Sequence, residues 1–322
     1  MKKTSDGKSP VIQVLKLLVG ISAMVFLVWL VGSREVVGLL LSVDPLLFIL
    51  LMAVSGVLIQ ISIIKWRLFL RFYGECASLK ELFSLYLVGY FFNTFFPSQI
   101  GGDAVRSWSL GKRVGQRVAF SATLLERATG FVTMILLGGL GVLCAPSVPL
   151  VIILVYSGVA MATIAGIFIV LHQKLAHWFI RMIPARKYQE KFQLFHEGMA
   201  RALASKSVLL KAFGLSVLFH GTAVFNTILA GYVVGWKDAG FFDLCVVLPL
   251  ILLFGSIPIS PSGLGIQEGA FFFFLQSIGA SPSQSVATAL ILRIKVLLLA
   301  VCGGGIWLFR SRNNSGQVPA RH

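Results

Sequence analysis

Six stretches of this chain, at about 11–32, 45–64, 118–143, 149–171, 212–236 and 284–309, are almost wholly apolar. About 20 residues of helix, at 1.5 Å rise each, cover the roughly 30 Å of hydrocarbon in a bilayer. In that setting every backbone N–H and C=O needs a partner within the protein, so runs of this length and spacing are expected to be spanning helices. The chain is 57% hydrophobic and only 12% charged. That is roughly half the charged share of a soluble domain, which excludes a soluble globular fold. The first run, Val11 to Gly32, is too long for a signal-peptide core and has no clear small-residue cleavage site, so it is expected to be retained.

The net charge of +16 does not point to nucleic acid, because the basic residues lie between the apolar runs. There they set topology and attract anionic headgroups. The N-terminal tail, 65–80, 104–117, 172–211 and the C-terminal tail together carry 22 Lys and Arg, whereas 33–44, 144–148, 237–243 and 280–283 carry 2, Arg34 and Lys237. The positive-inside rule puts the first set, with both termini, in the cytoplasm. The expected location is a cell inner membrane, crossed several times. Cys76, Cys144, Cys245 and Cys302 are scattered, with no Cys/His spacing for a metal, and neither metal nor cofactor is expected.

Two segments between the runs carry the same break. One reads Asn93-Thr94-Phe95-Phe96-Pro97-Ser98-Gln99-Ile100-Gly101-Gly102-Asp103. The other reads Ile257-Pro258-Ile259-Ser260-Pro261-Ser262-Gly263-Leu264-Gly265-Ile266-Gln267-Glu268. Proline removes a donor and ends a helix, and glycine permits a turn and close backbone approach. Both flanks of 81–110 are basic, so that segment is expected to enter from the cytoplasm, turn at Pro97–Gly102 and return. Both flanks of 241–279 are nearly uncharged, so it is expected to enter from outside and turn near Pro258, Pro261, Gly263 and Gly265.

The expected fold is therefore an all-α polytopic membrane protein of two inverted-topology repeats, with six full spans and two oppositely directed re-entrant helical hairpins. Repeat 1 covers 1–146 with its hairpin at 81–110. Repeat 2 covers 147–310, with a cytoplasmic amphipathic insert at 172–211 and a hairpin at 241–279. A basic tail, 311–322, follows. The sixteen residues 81–96 are also readable as a short span. Broken helices in corresponding positions of two halves are the sequence mark of a midplane transporter site.

Charges inside spans are costly and so are functional candidates. Glu126 and Arg127 lie about nine residues into the third run, and Arg293 with Lys295 about ten into the last, roughly 13–15 Å from the surface. The expected site is a central polar cavity in which Arg127 and Arg293 clamp an anion, with Glu126, Asp103 and Glu268 orienting them or carrying a proton. Asn93, Ser98, Arg106, Ser262 and Gln267 complete the substrate-binding set. Ser98 and Ser262 cap the helix that follows each turn, or donate to a ligand; that helix start is also a site for phosphate. Arginine suits a phosphate through its bidentate fork. A purely structural reading pairs Arg127 with Glu268 and Arg293 with Glu126. His220 and Asn226, in the fifth run, read as packing residues.

In 172–211, Tyr188, Phe192, Phe195 and Met199 recur at helical spacing among basic residues, as do Trp178, Phe179 and Ile183 beside Arg181. This fits an interfacial helix on anionic lipid, or a docking surface for a partner protein.

The residues that carry these motifs are Asn93, Pro97, Gly101-Gly102-Asp103, Arg106, Glu126-Arg127, Pro258, Pro261, Gly263-Leu264-Gly265, Glu268 and Arg293. With them the chain resembles, over nearly its whole length, the family named for the transmembrane region of lysylphosphatidylglycerol synthase. In the bifunctional member, the membrane part moves an aminoacylated phospholipid between leaflets and a separate soluble domain makes it. The present chain is expected to lack that domain, so the resemblance implies lipid translocation without aminoacyl transfer. It also implies membrane lipids with anionic headgroups as cargo, a polyprenyl-linked glycolipid among them, and a lipid-modifying enzyme or glycosyltransferase as neighbour. The chain departs from the family at Ser262, where glycine is usual, and at Gly102-Asp103, where Gly-Glu is common. Two other functions compete with a flippase or scramblase. One is a membrane-embedded transferase on polyprenyl-phosphate sugars, and the other is a scaffold that recruits an enzyme through 172–211.

Overall fold

The computed structural model describes residues 10–96, 100–145, 147–172 and 205–315, with side chains excepted at 10–17, 19, 100, 169–171 and 311–315. These residues form helices and no strands: α1 (Pro10–Val31), α2 (Ser33–Leu41), α3 (Pro45–Phe72), α4 (Leu79–Asn93), α5 (Ile100–Val114), α6 (Gln116–Cys144), α7 (Leu150–Leu171), α8 (Lys206–Val233), α9 (Phe241–Gly255), a single 3-10 turn (Pro261–Gly263), α10 (Ile266–Gln276) and α11 (Pro282–Ser315). Five helices are long and apolar enough to cross a membrane: Pro45–Phe72, Gln116–Cys144, Leu150–Phe168, Lys206–Val233 and Pro282–Arg310. A sixth candidate is the pair Gly20–Val31 and Ser33–Leu41, bent by 96° at Gly32, whose φ is 111°.

Local chemistry sets the helix ends. Asp44 caps α3 by accepting from Leu46 N at 2.7 Å, with Pro45 in the first turn. Ser78 caps α4 through Glu81 N at 3.2 Å. Gly115, with φ 85°, separates α5 from α6 in a backbone conformation that favours glycine. Two expected boundaries move. Lys65 was placed in a loop, but α3 runs on to Phe72 and buries it. Arg106 was also placed in a loop, and it lies within α5 with 1% exposure. Arg106 stays inside because Asp103 and Glu126 replace the water around it. Removing Lys65 and Arg106 from the charge count leaves 20 against 2, so its sign is unchanged.

The surface is apolar and the interior holds the charges. Along α7, Leu150, Val151, Leu154, Met161, Ile164 and Phe168 are all exposed. Glu126, Glu268, Asn226 and Lys295 are buried. Lipid-facing proteins show this arrangement, because the surrounding hydrocarbon solvates leucine better than it solvates a carboxylate.

Besides α2, four of the described helices are too short to cross alone. α4, α5 and α9 have 15 residues and α10 has 11. At 1.5 Å per residue these are about 22 and 17 Å long. α4 packs on α5 and α9 on α10. α4 also lies along α11, and α9 along α6. Glycines permit both of these crossings: a Cβ on Gly303 would lie 1.9 Å from Leu87 O, and one on Gly141 would lie 2.7 Å from Phe242 O. α3 packs against α8, joined at two points. Lys65 Nζ donates to Ser216 Oγ at 3.1 Å, and Asn226 Nδ2 donates to Ser55 Oγ at 3.4 Å. One apolar core surrounds α4 with Trp66, Phe69 and Leu110, and another surrounds α9 with Leu275 and Tyr156.

Candidate functional site: a half-polar cavity beside the first break

Asn93 ends α4, and its Oδ1 accepts from Gly102 N at 2.6 Å in the first turn of α5. The two backbones nearly touch, since a Cβ on Gly102 would lie 2.1 Å from Gly89 O. This contact sets Asp103 facing α6, where it bridges two arginines. It receives Arg127 Nε at 2.7 Å and Nη2 at 2.8 Å, a two-pronged pair, and Arg106 Nε at 2.9 Å. Arg106 Nη2 continues to Glu126 Oε2 at 2.7 Å, and Tyr86 OH donates to Glu126 Oε1 at 2.5 Å. The Arg106 guanidinium lies 4.1 Å from the Tyr86 ring centre and 4.6 Å from that of Trp66, a contact that offsets part of its lost hydration. Its Nη1 is buried with no hydrogen-bond partner among the described residues. Arg106 and Glu126 are sealed in, at 1% and 3% exposure, whereas Arg127 is 50% exposed.

Arg127 opens on a cavity of about 610 Å³. Its lining includes the polar Lys65, Tyr90, Asn93, Asp103, Arg127 and His220 and the apolar Leu124, Phe131, Met134, Phe219, Leu252 and Leu253. His220 Nε2 donates to Gly130 O at 2.8 Å. Such a lining offers contacts both to a charged group and to hydrocarbon.

The second break is built differently. Ser262, Gly263 and Gly265 have φ of 52°, 68° and 80°, so the backbone turns through left-handed conformations. Glu268 Oε2 accepts from Gly265 N at 2.7 Å, which closes the start of α10. Its Oε1 accepts from Arg293 Nε at 2.5 Å. Arg293 also donates to Ser262 O at 3.1 Å, Ser262 Oγ at 3.3 Å and Gln267 Oε1 at 3.3 Å. The two breaks meet: Ser262 N donates to Phe96 O at 3.1 Å.

Much of the expected site is thus brought together, in two clusters. Asn93, Asp103, Arg106, Glu126 and Arg127 form one; Ser262, Gln267, Glu268 and Arg293 form the other. Pro97 and Ser98 lie outside the described residues, as do residues 173–204 of the expected amphipathic insert and the tail from 316. Four expectations are corrected. Arg127 and Arg293 do not share this cavity, because Arg293 is held by its own break. Neither arginine crosses to the acid of the other half; each pairs with the acid of its own. Ser262 accepts from Arg293 and does not cap α10, which Glu268 closes. Gly101 and Gly102 serve close approach within helix α5 and not the turn itself, whereas Gly263 and Gly265 serve the turn, with Pro261 at its start. Lys65, Tyr86 and Tyr90 were not singled out beforehand. Only a charge within an unbroken helical run signalled Lys65.

The matched model of the lysylphosphatidylglycerol synthase TM region covers residues 13–304. The chain belongs to that family. Two UPF0104 membrane proteins of Methanothermobacter thermautotrophicus are similar to it. One is 22% identical over 302 residues, covering 86% of this chain and 89% of the relative. The other is 20% identical over 303 residues, covering 85% and 86%. A UPF0104 membrane protein of Methanocaldococcus jannaschii is 29% identical over 134 residues, covering 39% and 38%. No solved structure matches the chain. Membership makes this an integral, multi-pass membrane protein.

Proposed function

We propose that the chain carries phosphate-bearing lipids, phospholipid or polyprenyl-linked glycolipid, between leaflets as a flippase or scramblase and without group-transfer chemistry. The carrying observation is the cavity of about 610 Å³, lined by Arg127 together with hydrocarbon side chains such as Phe131, Met134 and Leu252. A lipid has groups that suit both. Arg127 is doubly bonded to Asp103 yet half exposed, so it has faces left for a headgroup.

On this reading α4–α5 and α9–α10 are re-entrant hairpins entering from opposite sides of a cell inner membrane, with both chain termini cytoplasmic. Several observations support it. All four helices are shorter than a bilayer. The open end of α4–α5 is polar, with Arg113 bonded to Glu81 at 2.9 and 3.1 Å. Most of the packing pairs survive exchange of α3 with α8, α4 with α9, α5 with α10 and α6 with α11, the contact of α6 with α8 being the exception. The α3–α8 crossing obeys the same exchange, since 55 and 65 meet 226 and 216, ten positions apart in each helix. Inverted repeats follow this rule.

The test is headgroup translocation in proteoliposomes containing the purified chain. Wild-type protein should move a fluorescent or dithionite-reducible phospholipid, and Arg127→Ala should slow it at least about 10-fold, the loss of one charge-assisted contact. No movement by the wild type over empty liposomes would end the reading.

A further inference from the structure

Five charged side chains line the cavity: Lys65, Arg106 and Arg127 against Asp103 and Glu126. Both carboxylates are engaged by the two arginines. Lys65 has no carboxylate within ion-pair distance among the described residues; it donates to Ser216 Oγ, and the Phe219 ring lies 6.0 Å away. It is nevertheless buried, at 4% exposure. An ammonium has three donors, and a single neutral hydroxyl is a poor exchange for water. The chain makes room for this group, because a Cβ at Gly130 would lie 3.1 Å from Nζ and 3.8 Å from His220 Nε2.

The cavity thus carries one positive charge more than it neutralises, at a place where uncompensated charge is costly. We propose that Lys65 is the charge-selecting residue of the cavity, and that its ligand is a lipid phosphodiester of one net negative charge. Resting on the carrier reading above, this adds the cargo's charge. A monoanionic headgroup brings the cavity to neutrality. A zwitterionic one leaves the excess in place, and a polyprenyl diphosphate reverses it. The apolar lining favours a phosphate that brings its own hydrocarbon over free phosphate.

Binding to the full-length purified chain in detergent tests this, read as the shift in unfolding temperature with added ligand. The ligands are phosphatidylglycerol, phosphatidylcholine, a polyprenyl diphosphate, inorganic phosphate and the chain-free glycerophosphoglycerol. Wild type should prefer phosphatidylglycerol to all four. Lys65→Met should bind it about 10-fold more weakly and lose the preference over phosphatidylcholine, while Lys65→Arg keeps both. Unchanged affinity and preference in Lys65→Met would overturn the proposal. So would a wild type that favours phosphatidylcholine or the diphosphate, a result that needs no variant to fold. Equal binding of inorganic phosphate would overturn the lipid assignment. Translocation is followed separately. Movement by the wild type, with Lys65→Met showing unaltered lipid preference, leaves the carrier reading and removes this inference. Lys65-dependent binding without movement does the reverse.

Discussion

The two breaks use the same parts to different ends. In each, an acid early in the second short helix meets an arginine on the following long helix, Asp103 with Arg127 and Glu268 with Arg293. At the second break the arginine is consumed: Glu268, Ser262 and Gln267 take its donors, and it is 10% exposed. At the first break a further arginine, Arg106, is buried behind Asp103, and Arg127 is left half open on the cavity. One duplicated pair has thus become a fastening on one side and a contact surface on the other. Sequence similarity between two motifs fixes a shared geometry, and the neighbours decide whether that geometry is spent on the fold or kept for a ligand.

The largest expected effect comes from breaking the buried pair. Arg106→Leu leaves Glu126 without its ion partner and removes one donor from Asp103, and it should lower stability by about 3–5 kcal/mol, measured by unfolding in detergent. A loss under about 1 kcal/mol would show that water reaches Glu126. Next is the contrast between the exposed and the consumed arginine. Arg293→Ala should destabilise by about 2–4 kcal/mol because Glu268 loses its partner. Arg127→Ala should stay within about 1 kcal/mol of wild type, as for a half-exposed pair, while losing translocation. Equal stability losses in the two variants would erase the distinction drawn here. Gly102→Ala drives a methyl into Gly89 O and should cost about 1–3 kcal/mol by parting α4 from α5. The smallest effect is a gain. Ser262 is the one non-glycine with positive φ among the described residues, so Ser262→Gly should raise stability by up to about 1 kcal/mol, read as a higher unfolding midpoint.

That last residue shows what was legible beforehand. Ser262 was expected to stand in place of a glycine, and its left-handed backbone is the conformation that favours glycine. The six apolar runs, the two breaks and the acid–arginine spacing were all readable, because hydrophobic length and proline–glycine punctuation act locally. The third dimension of the charges was not. Lys65 and Arg106 look like loop charges when counted along the chain. Only packing of α3 against α8 and of α5 against α6 shows that they point inward. Nor does pattern say which acid an arginine chooses. The cross-pairs Arg127–Glu268 and Arg293–Glu126 are equally good by composition, and the packing of α5 on α6 and of α10 on α11 decides against them.

The α3–α8 crossing has a mechanical consequence. Two fastenings ten residues, or about 15 Å, apart along each helix prevent both sliding and scissoring, where a single one would allow rotation. The pair therefore forms a stiff keel, which resists movement of one helix along the other. One of the two fastenings is Lys65 itself. On the carrier reading proposed above, a headgroup that draws its ammonium away from Ser216 removes a rivet from the keel, so that occupancy of the cavity would free the frame to flex.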